Sequence, residues 1–373
     1  MRSPSHSASR ARRRPARHLL TLLAVFGISV LVLSGCTKVE DAASAKDGAA
    51  DASQDTSTTT LLPTDEIPDG TTLRVGDQLG VLEIPLTISG SGDGTPYTIE
   101  YSNFLGGPLM LEAFNAGAID VGFVADTPPV LAHAQGQDVV IVAAWENTGN
   151  QMAIVVPEGS DVDSVDDLVG HNLAYQKGTV AQAFALQAFD EAGVDPDDVE
   201  PVDLSIVDIP NALSSGDLDA GVITEPMLSL FLSQNPGAEV VRDSDGLATG
   251  LTYLIASRES LSDPVKASVI GDFLGRLLDG LHYVNENPGS WVDAYYKDKI
   301  SVPAEIATQL AAKLGAWSFP ELAEPVFVQQ QSIADLFHDA GVIPSELDAR
   351  EEFDTRYNPL IAAKNEEFGT SAG

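Results

Sequence analysis

Residues 107–129 read GPLMLEAFNAGAIDVGFVADTPP, and their pattern returns once further along the chain, at residues 212–227, as ALSSGDLDAGVITEPM. Each copy predicts a helix closed by a glycine in the left-handed conformation, then a short buried strand ending at an acidic residue and a proline. The aligned pairs are Gly117 with Gly216, Ile119 with Leu218, Asp120 with Asp219, Gly122 with Gly221, and Asp126 with Glu225. The repeat indicates one βα design used twice; two unrelated βα units with similar turn chemistry are the alternative.

Residues 1–35 have the features of a secretion signal. Six arginines and no acidic residue stand in residues 1–17, and residues 19–33 are all apolar or small. This run is shorter than the roughly eighteen residues that a spanning helix needs, so we expect cleavage before Cys36. The LSGC tetrad that ends at Cys36 resembles the lipobox of bacterial lipoproteins. The resemblance implies a diacylglycerol on this single cysteine, whereas a buried structural thiol is the alternative. Sec and twin-arginine export both stay open.

Residues 36–70 are rich in Ala, Asp, Ser, Thr and Gly, a composition that cannot bury enough apolar surface to fold. We expect a flexible tether between the membrane and a folded body. Without the six leader arginines, 14 basic side chains stand against 55 acidic ones, a formal net charge of −41. Because such a surface repels nucleic acid and anionic lipid, neither is expected as a partner.

Beyond the tether, short apolar strands alternate with helical patterns, which is typical of an α/β fold. We predict two Rossmann-like lobes joined by two hinge strands. Lobe 1 is expected to comprise residues 71–148 and 249–373, and lobe 2 residues 149–248. The chain would cross between the lobes near residues 145–151 and again near 246–250. The helical C-terminal segment is expected to pack on lobe 1.

The turn at residues 176–179, QKGT, leads into a predicted helix. A helix start offers unpaired N–H groups and a positive dipole end, so it binds anions with few cationic side chains. Thr179 is the predicted N-cap, and Gln182 completes a capping-box pattern. A capped helix without a ligand is the alternative. The acidic turns at 126–128 and 224–226 favour a binding site, because the carboxyl ends of parallel strands face a common crevice.

Five segments together carry a family resemblance: LRVGDQ (73–78), the stretch 107–129, AYQKGTVA (174–181), DLDAGVITEPM (217–227) and TYLIASRE (252–259). In this order they resemble the solute receptors of ABC importers for aliphatic sulfonates, taurine and nitrate, over about residues 73–287. The resemblance implies the type II periplasmic-binding-protein fold, whose two lobes close on a ligand. It places the ligand contacts at Gln78, Gly107, Pro108, Asp126, Thr127, Lys177, Gly178, Thr179, Val180 and Glu225. Ala125, Glu225 and residues 179–181 depart from residues common in the family, so the ligand's identity does not follow.

Two classes of protein with this scaffold can be compared. A receptor captures a solute and delivers it to a permease and its ATPase. Enzymes of similar fold include a desulfinase with a cysteine nucleophile and a thiamin-pyrimidine synthase with a cysteine-rich iron motif. Cys36 is the single cysteine and is assigned to lipid, and the histidines show no metal-ligand spacing. They are His6, His18, His133, His171, His282 and His338. The sequence therefore predicts a monomeric, extracytoplasmic receptor without catalytic residues, metal or cofactor; a surface-recognition lipoprotein that lost transport is a further alternative.

The charge of the solute is left open by the sequence. Lys177 is the one cation at a predicted crevice turn among those between residues 71 and 287, although helix N-termini can also hold an anion. Asp126 and Glu225 would suit an amino group. An aliphatic sulfonate or taurine is the expected solute, with nitrate as a further candidate, and anionic, zwitterionic and neutral ligands all remain open.

Overall fold

A computed structural model describes residue 63 and residues 66–147, 151–313 and 315–370 of the chain. The predicted signal, Cys36 and nearly all of the tether lie outside these residues. Within the described part, no helix is long and apolar enough to cross a membrane. Eleven strands occur in it: β1 (Thr72–Asp77), β2 (Thr98–Asn103), β3 (Val121–Ala125), β4 (Val139–Asn147), β5 (Met152–Val156), β6 (Asn172–Tyr175), β7 (Glu200–Asp203), β8 (Ala220–Thr224), β9 (Glu239–Asp243), β10 (Leu251–Ser257) and β11 (Trp317–Ser318).

Helices connect the strands and form the C-terminal third of the chain. In the described residues they are α1 (Glu83–Ser89), α2 (Gly107–Asn115), α3 (Thr127–Ala134), α4 (Val180–Ala192), α5 (Ile209–Ser215), α6 (Met227–Gln234), α7 (Arg258–Ser262), α8 (Pro264–Glu286), α9 (Pro288–Trp291), α10 (Ala304–Lys313), α11 (Glu324–Asp339) and α12 (Asn358–Phe368). A π-helical segment, Val292–Lys299, continues α9. Short 3₁₀ turns lie at Val165–Leu168, Pro196–Asp198, Ala349–Glu352 and Thr355–Tyr357.

The strands form two sheets with the same design. The first has the order β11-β4-β10-β3-β1-β2 and the second the order β7-β6-β8-β5-β9. In each, a parallel set is followed by one antiparallel strand: β10 lies between β3 and β4, and β5 lies between β8 and β9. Because β5 and β10 are the strands that follow the two passages between the sheets, each passage ends in a central strand.

The repeated sequence forms the same unit in both sheets. Gly117 and Gly216 follow α2 and α5 in the left-handed conformation, with φ of 63° and 77°. Gly122 and Gly221 lie in the buried strands β3 and β8. A Cβ built on Gly221 would lie 2.6 Å from Cγ2 of Ile209 on α5. The strand glycine therefore lets the preceding helix pack directly on the sheet.

The apolar core divides into clusters that follow the two sheets, but α11 departs from the prediction for the C-terminal helices. Most of these helices, including α8 and α10, pack in the cluster of the first sheet. By contrast, Ile333, Ala334 and Phe337 of α11 are buried in the cluster of the second sheet, beside Phe184 of α4. Val326 of α11 is buried with residues of the first sheet, and the helix contacts both α3 and α4. The C-terminal segment therefore packs on lobe 1 as expected, except that α11 packs on lobe 2 as well.

Candidate functional site

A cavity of about 480 Å³ lies where the carboxyl ends of strands from both sheets meet. Ala125 at the end of β3 and Thr224 at the end of β8 line it, as do Met152 of β5 and Leu251 of β10. The two passages between the sheets border the same space. The cavity therefore occupies the place at which open α/β sheets bind their ligands.

Aromatic side chains form one side of this cavity. We call them the aromatic wall: Phe123, Trp145, Trp291, Tyr295, Tyr296 and Trp317. The ring of Trp291 stacks on Tyr295 at 4.3 Å between centroids and meets Trp317 edge-on at 5.4 Å. Burial raises the pKa of the Tyr295 hydroxyl and of the Tyr296 hydroxyl. Both hydroxyls therefore stay protonated and neutral at neutral pH.

Charged side chains that line the cavity are acidic. We call Glu146, Glu225 and Asp245 the acid group. Among the described residues that line the cavity, none is Lys, Arg or His. Unlike a preformed anion site with cationic side chains, this lining combines carboxylates with aromatic rings.

Glu225 is the member of the acid group with an ion-pair partner. Its side chain is 8% exposed, and its Oε1 accepts a hydrogen bond from Lys313 Nζ at 2.9 Å. The Ser229 hydroxyl donates to the same oxygen at 2.8 Å. Because Glu225 follows β8 and Lys313 ends α10, the pair links the second sheet to a helix packed on the first. For Glu146 and Asp245, the described residues form no ion pair.

Two of the predicted ligand contacts, Val180 and Glu225, line the cavity. The other eight lie outside its wall: Gln78, Gly107, Pro108, Asp126, Thr127, Lys177, Gly178 and Thr179. Several of these eight have structural partners. Gln78 donates its side-chain amide to the carbonyl of Phe123 at 2.9 Å, which ties the end of β1 to β3.

Asp126 is fully buried beneath the cavity and holds the chain rather than facing the space. The Thr249 hydroxyl donates to its Oδ2 at 2.6 Å, and the Thr127 hydroxyl donates to its Oδ1 at 3.0 Å. Burial raises the pKa of this carboxyl, against the opposing effect of the two hydroxyl donors. The carboxylate thus joins the start of α3 to the second passage between the sheets.

The predicted anion turn is a capped helix start. Thr179 Oγ1 accepts from Ala181 N at 3.3 Å and donates to the Gln176 carbonyl at 2.7 Å, which confirms the N-cap. Gln182 does not complete the predicted capping box, because its Oε1 accepts from the N–H of Gly178, one residue before the cap. Lys177 is exposed and outside the cavity wall.

The helix starts of the two halves nevertheless meet. A Cβ built on Gly178 would lie 3.2 Å from Cγ of Pro108, and one built on Gly107 would lie 2.2 Å from Cγ of Pro128. The starts of α2, α3 and α4 are therefore packed against one another next to the cavity. The predicted residues Gly107, Pro108 and Gly178 lie together at this junction.

The aromatic wall and two members of the acid group were missed by sequence reasoning. All three tryptophans of the chain line this one cavity. For Trp145 the sequence held a signal, because it begins the predicted passage between the lobes at residues 145–151. The other two belong to the C-terminal helical region, whose path over the crevice does not follow from periodicity. Among the described residues no group of three His, Cys, Asp or Glu side chains is placed to hold a metal ion.

Comparison with known proteins places this geometry in a family. The NMT1/THI5-like family matches residues 107–290. A protein of Escherichia coli (strain K12) named as an aliphatic sulfonates-binding protein is 32% identical over 286 residues, which cover 75% of this chain and 87% of the relative. The chain belongs to the family of solute-binding proteins that includes the aliphatic sulfonate receptors. The predicted family is thereby confirmed.

Solved structures of this family show the same fold. The alkanesulfonate-binding protein SsuA from Xanthomonas axonopodis pv. citri, bound to MOPS, matches with a TM-score of 0.69 and 25% identity, over 77% of this chain and 99% of that one. The periplasmic aliphatic sulphonate-binding protein SsuA from Escherichia coli gives 0.66 and 28%, over 78% and 99%. The predicted α/β fold of two lobes, the type II periplasmic-binding-protein fold, is confirmed.

Proposed function

We propose that this chain is the extracytoplasmic substrate-binding protein of an ABC importer and that it captures a small sulfonate, either an aliphatic sulfonate or taurine. The single observation that carries the proposal is the cavity at the strand ends of both sheets, in a chain 32% identical to an aliphatic sulfonates-binding protein. The chain acts as a receptor and not as an enzyme. Nitrate is the smaller alternative ligand.

The size and lining of the cavity support an organic solute over nitrate. About 480 Å³ lies in the range of pockets that hold organic ligands, and the aromatic wall supplies apolar surface for a carbon chain. The alkanesulfonate-binding relative is bound to MOPS, a sulfonate that also carries a ring amine. Helix α4 begins at Val180, which lines the cavity, and the positive end of a helix dipole is a suitable neighbour for sulfonate oxygens.

Closure of two lobes is the switch in this proposal. We keep the lobe boundaries at residues 71–148 with 249–373, and 149–248, because β1–β4, β10 and β11 share one sheet whereas β5–β9 share the other. The two passages lie side by side, since the N–H of Asn147 donates to the carbonyl of Gly250 at 3.1 Å. Paired passages of this kind bend as one hinge while the sheets move as rigid bodies.

The remaining parts of the proposal concern location and partners. A monomer, tethered by residues 36–70 and anchored through a lipid on Cys36, would deliver the solute to a permease and its ATPase at the outer face of the membrane. Support comes from the leader sequence and the lipobox-like tetrad before Cys36.

A binding screen on the purified full-length chain tests the proposal. We expect taurine, short alkanesulfonates or MOPS to raise the melting midpoint, because a ligand at a hundred times its Kd stabilises the folded state by about 2.7 kcal/mol. For a body of this size that corresponds to roughly 5 °C. If no sulfonate, taurine or nitrate shifts the midpoint, the proposed function is wrong.

A pair of variants ties any shift to the cavity. Val180→Phe places a larger side chain on the cavity wall and should weaken sulfonate binding at least roughly tenfold in calorimetric titration. Val328→Phe is the control, because Val328 is 57% exposed on α11 and outside the cavity wall. Equal affinity in the two variants would place the site elsewhere.

A further inference from the structure

We propose that the cavity recognises its solute by a positively charged, N-alkylated ammonium group seated against the aromatic wall and facing the acid group. The inference rests on the proposed function, since it names the class of solute that the same cavity takes. It goes beyond that function because a sulfonate alone offers nothing to carboxylates.

The charged side chains of the cavity favour a solute with a cationic group. Three carboxylate side chains line the cavity, and among its described lining residues no Lys, Arg or His accompanies them. Lys313 compensates Glu225 from outside the wall, at 2.9 Å. Glu146 and Asp245 form no ion pair with the described residues. Glu146 is half-buried, whereas Asp245 is exposed and lies near Arg242, whose Nη2 donates a hydrogen bond to the Asp245 carbonyl at 3.1 Å. The negative charge of the lining is therefore balanced only in part, and it favours a solute that carries a cationic group over a purely anionic one.

The aromatic wall favours an alkylated ammonium group. A cation is attracted to the negative face of an aromatic ring, most strongly to Trp and then to Tyr, and alkylated ammonium groups are the ligands that aromatic cages typically bind. The cavity contains all three tryptophans of the chain and two tyrosines. Contact with the apolar ring surface stabilises alkyl groups on the nitrogen, whereas a primary ammonium would lose its hydrogen bonds to water at the same surface.

The buried indole N–H of Trp291 favours an acid group at the other end of the solute. Trp291 is 2% exposed and lines the cavity. Its indole N–H lies beside the Tyr296 hydroxyl and lowers the pKa of that group against the larger effect of burial, but the geometry assigns the N–H no hydrogen-bond acceptor among the described residues. Since a buried N–H without an acceptor is costly, an acid oxygen of the solute is a suitable partner. The solute is thus a zwitterion with an alkylated cationic nitrogen.

One member of the acid group, Glu225, already binds an ammonium group of the chain itself. Lys313 Nζ lies 2.9 Å from Glu225 Oε1 and 3.3 Å from the Ser229 hydroxyl. The Lys313 side chain is 49% exposed, so it is free to move into water when a solute cation approaches Glu225. Exchange of Lys313 for the solute cation keeps the charge of Glu225 balanced, while the Ser229 hydroxyl still donates a hydrogen bond to its Oε1.

The test compares ligands of one shape and different charge on the full-length chain. N,N,N-trimethyltaurine and 3,3-dimethylbutane-1-sulfonate differ by the exchange of a cationic nitrogen for a neutral carbon. Calorimetric titration should show the first to bind at least roughly tenfold more tightly, and this preference should fall as salt is raised. Equal binding, or tighter binding of the carbon analogue, overturns the inference and leaves the sulfonate receptor intact.

A third probe separates the inference from the function on which it rests. Propyltrimethylammonium carries the cation with a methyl group in place of the sulfonate. If it binds as tightly as trimethyltaurine, the cationic group is recognised and the sulfonate part of the proposed function fails. If none of the three probes binds while taurine or MOPS still does, this inference fails and the sulfonate receptor stands; if those also fail to bind, the proposed function fails with it.

Variants with opposite expected effects complete the test. Glu146→Gln keeps the shape of the side chain but removes a lining charge, so it should reduce the preference for trimethyltaurine several-fold, whereas Glu366→Gln, exposed on α12, should not. Lys313→Gln removes the competing ammonium and should increase the preference. An unchanged preference in both Glu146→Gln and Lys313→Gln overturns the role given to the acid group. Because Lys313→Gln removes the ion-pair partner of the buried Glu225, a thermal melt of each variant checks first that it is folded.

Discussion

Asp120 and Asp219 perform the same structural task in the two sheets. Asp120 Oδ2 accepts a hydrogen bond from the N–H of Arg74 in β1, and Asp219 Oδ2 accepts one from the N–H of Asn172 in β6, both at 2.9 Å. In each sheet the aspartate follows the glycine that closes the helix and binds the backbone of the middle one of three parallel strands, β1 or β6. The repeated aspartate thus serves the fold and lies outside the binding cavity.

Asp120 should contribute more than Asp219 to the free energy of unfolding. The Asp120 side chain is 2% exposed and also binds Arg74 and Lys266, at 2.6 Å and 2.7 Å, whereas the Asp219 side chain is 45% exposed. We expect Asp120→Asn to lower the free energy of unfolding by about 2–3 kcal/mol, because it leaves two cations without their carboxylate. Asp219→Asn, the matched control, should cost less than about 1 kcal/mol in the same urea titration.

The loss in Asp120→Asn should also depend on pH. Burial tends to raise the pKa of Asp120, but the hydrogen bonds from Arg74 and Lys266 outweigh it and hold the pKa well below its ordinary value. The stabilisation is therefore complete above the unfolded pKa of about 3.9 and is lost as the pH falls through the folded value. Melts between pH 7 and pH 2 should show parent and variant converging in acid; a constant difference would contradict the assignment.

Alanine at the repeated strand glycines should destabilise the chain in a graded way. A Cβ on Gly221 would meet Ile209 Cγ2 at 2.6 Å, and one on Gly122 would meet Met110 Sδ at 2.7 Å. Ile209 is β-branched and stiff, whereas Met110 can repack and leaves the Gly76 carbonyl oxygen, at 3.2 Å, as the remaining close contact. Gly221→Ala should therefore cost about 2–3 kcal/mol and Gly122→Ala less, about 1–2 kcal/mol. Gly289→Ala has open space around it and should be neutral by the same thermal melts.

Thr179 tests whether the capped turn also binds solute. Thr179→Ala removes the side-chain acceptor for Ala181 N and should lower the free energy of unfolding by about 1 kcal/mol. Because the hydroxyl is already engaged with the backbone on both sides, we expect affinity for taurine or an alkanesulfonate to change less than about threefold. Thr179→Ser is the control that keeps the cap. A tenfold loss of affinity in the alanine variant alone would show that this hydroxyl binds the solute.

Cys36 gives a prediction about location. If a lipid on its sulfur anchors the chain, Cys36→Ala should move the protein from the membrane fraction into the soluble extracytoplasmic fraction. A single diacylated cysteine carries two acyl chains, enough for stable attachment. Fractionation followed by immunoblotting measures the change, and retention of the processed variant in membranes would contradict the anchor.

The local sequence pattern was sufficient to predict the helices and strands of the repeated segments, residues 107–129 and 212–227. Periodicity, glycine and proline predict the helix, turn and strand around Gly117 and Gly216 and the cap at Thr179, because these depend on neighbours within a few residues. The same reasoning predicts that Asp126 and Glu225 follow strands that end at one crevice. The structure adds that Asp126 is buried with Thr249 as its partner.

The wall of the cavity was harder to predict because it depends on contacts between distant parts of the chain. Trp317 reaches the site by pairing with Asn147 in the first sheet, and Lys313 reaches Glu225 from the end of α10. The apolar face of α11 shows the same difficulty, since its pattern indicates burial but not the partner. Nothing in local periodicity distinguishes a helix that packs on one sheet from a helix that spans two.

The position of β10 sets the order in which the chain can complete its fold. Tyr253 of β10 pairs with Val124 of β3 on one side and Ala144 of β4 on the other, so the first sheet has a gap at its centre until β10 has emerged. Until then β3 and β4 expose unpaired edges, which are prone to join other chains. A chain cut after β9 should aggregate instead of forming an independent half, and contacts of such long sequence separation make the final closure of the sheet slow. If the chain is exported as proposed, it therefore needs protection during translocation until β10 has crossed the membrane.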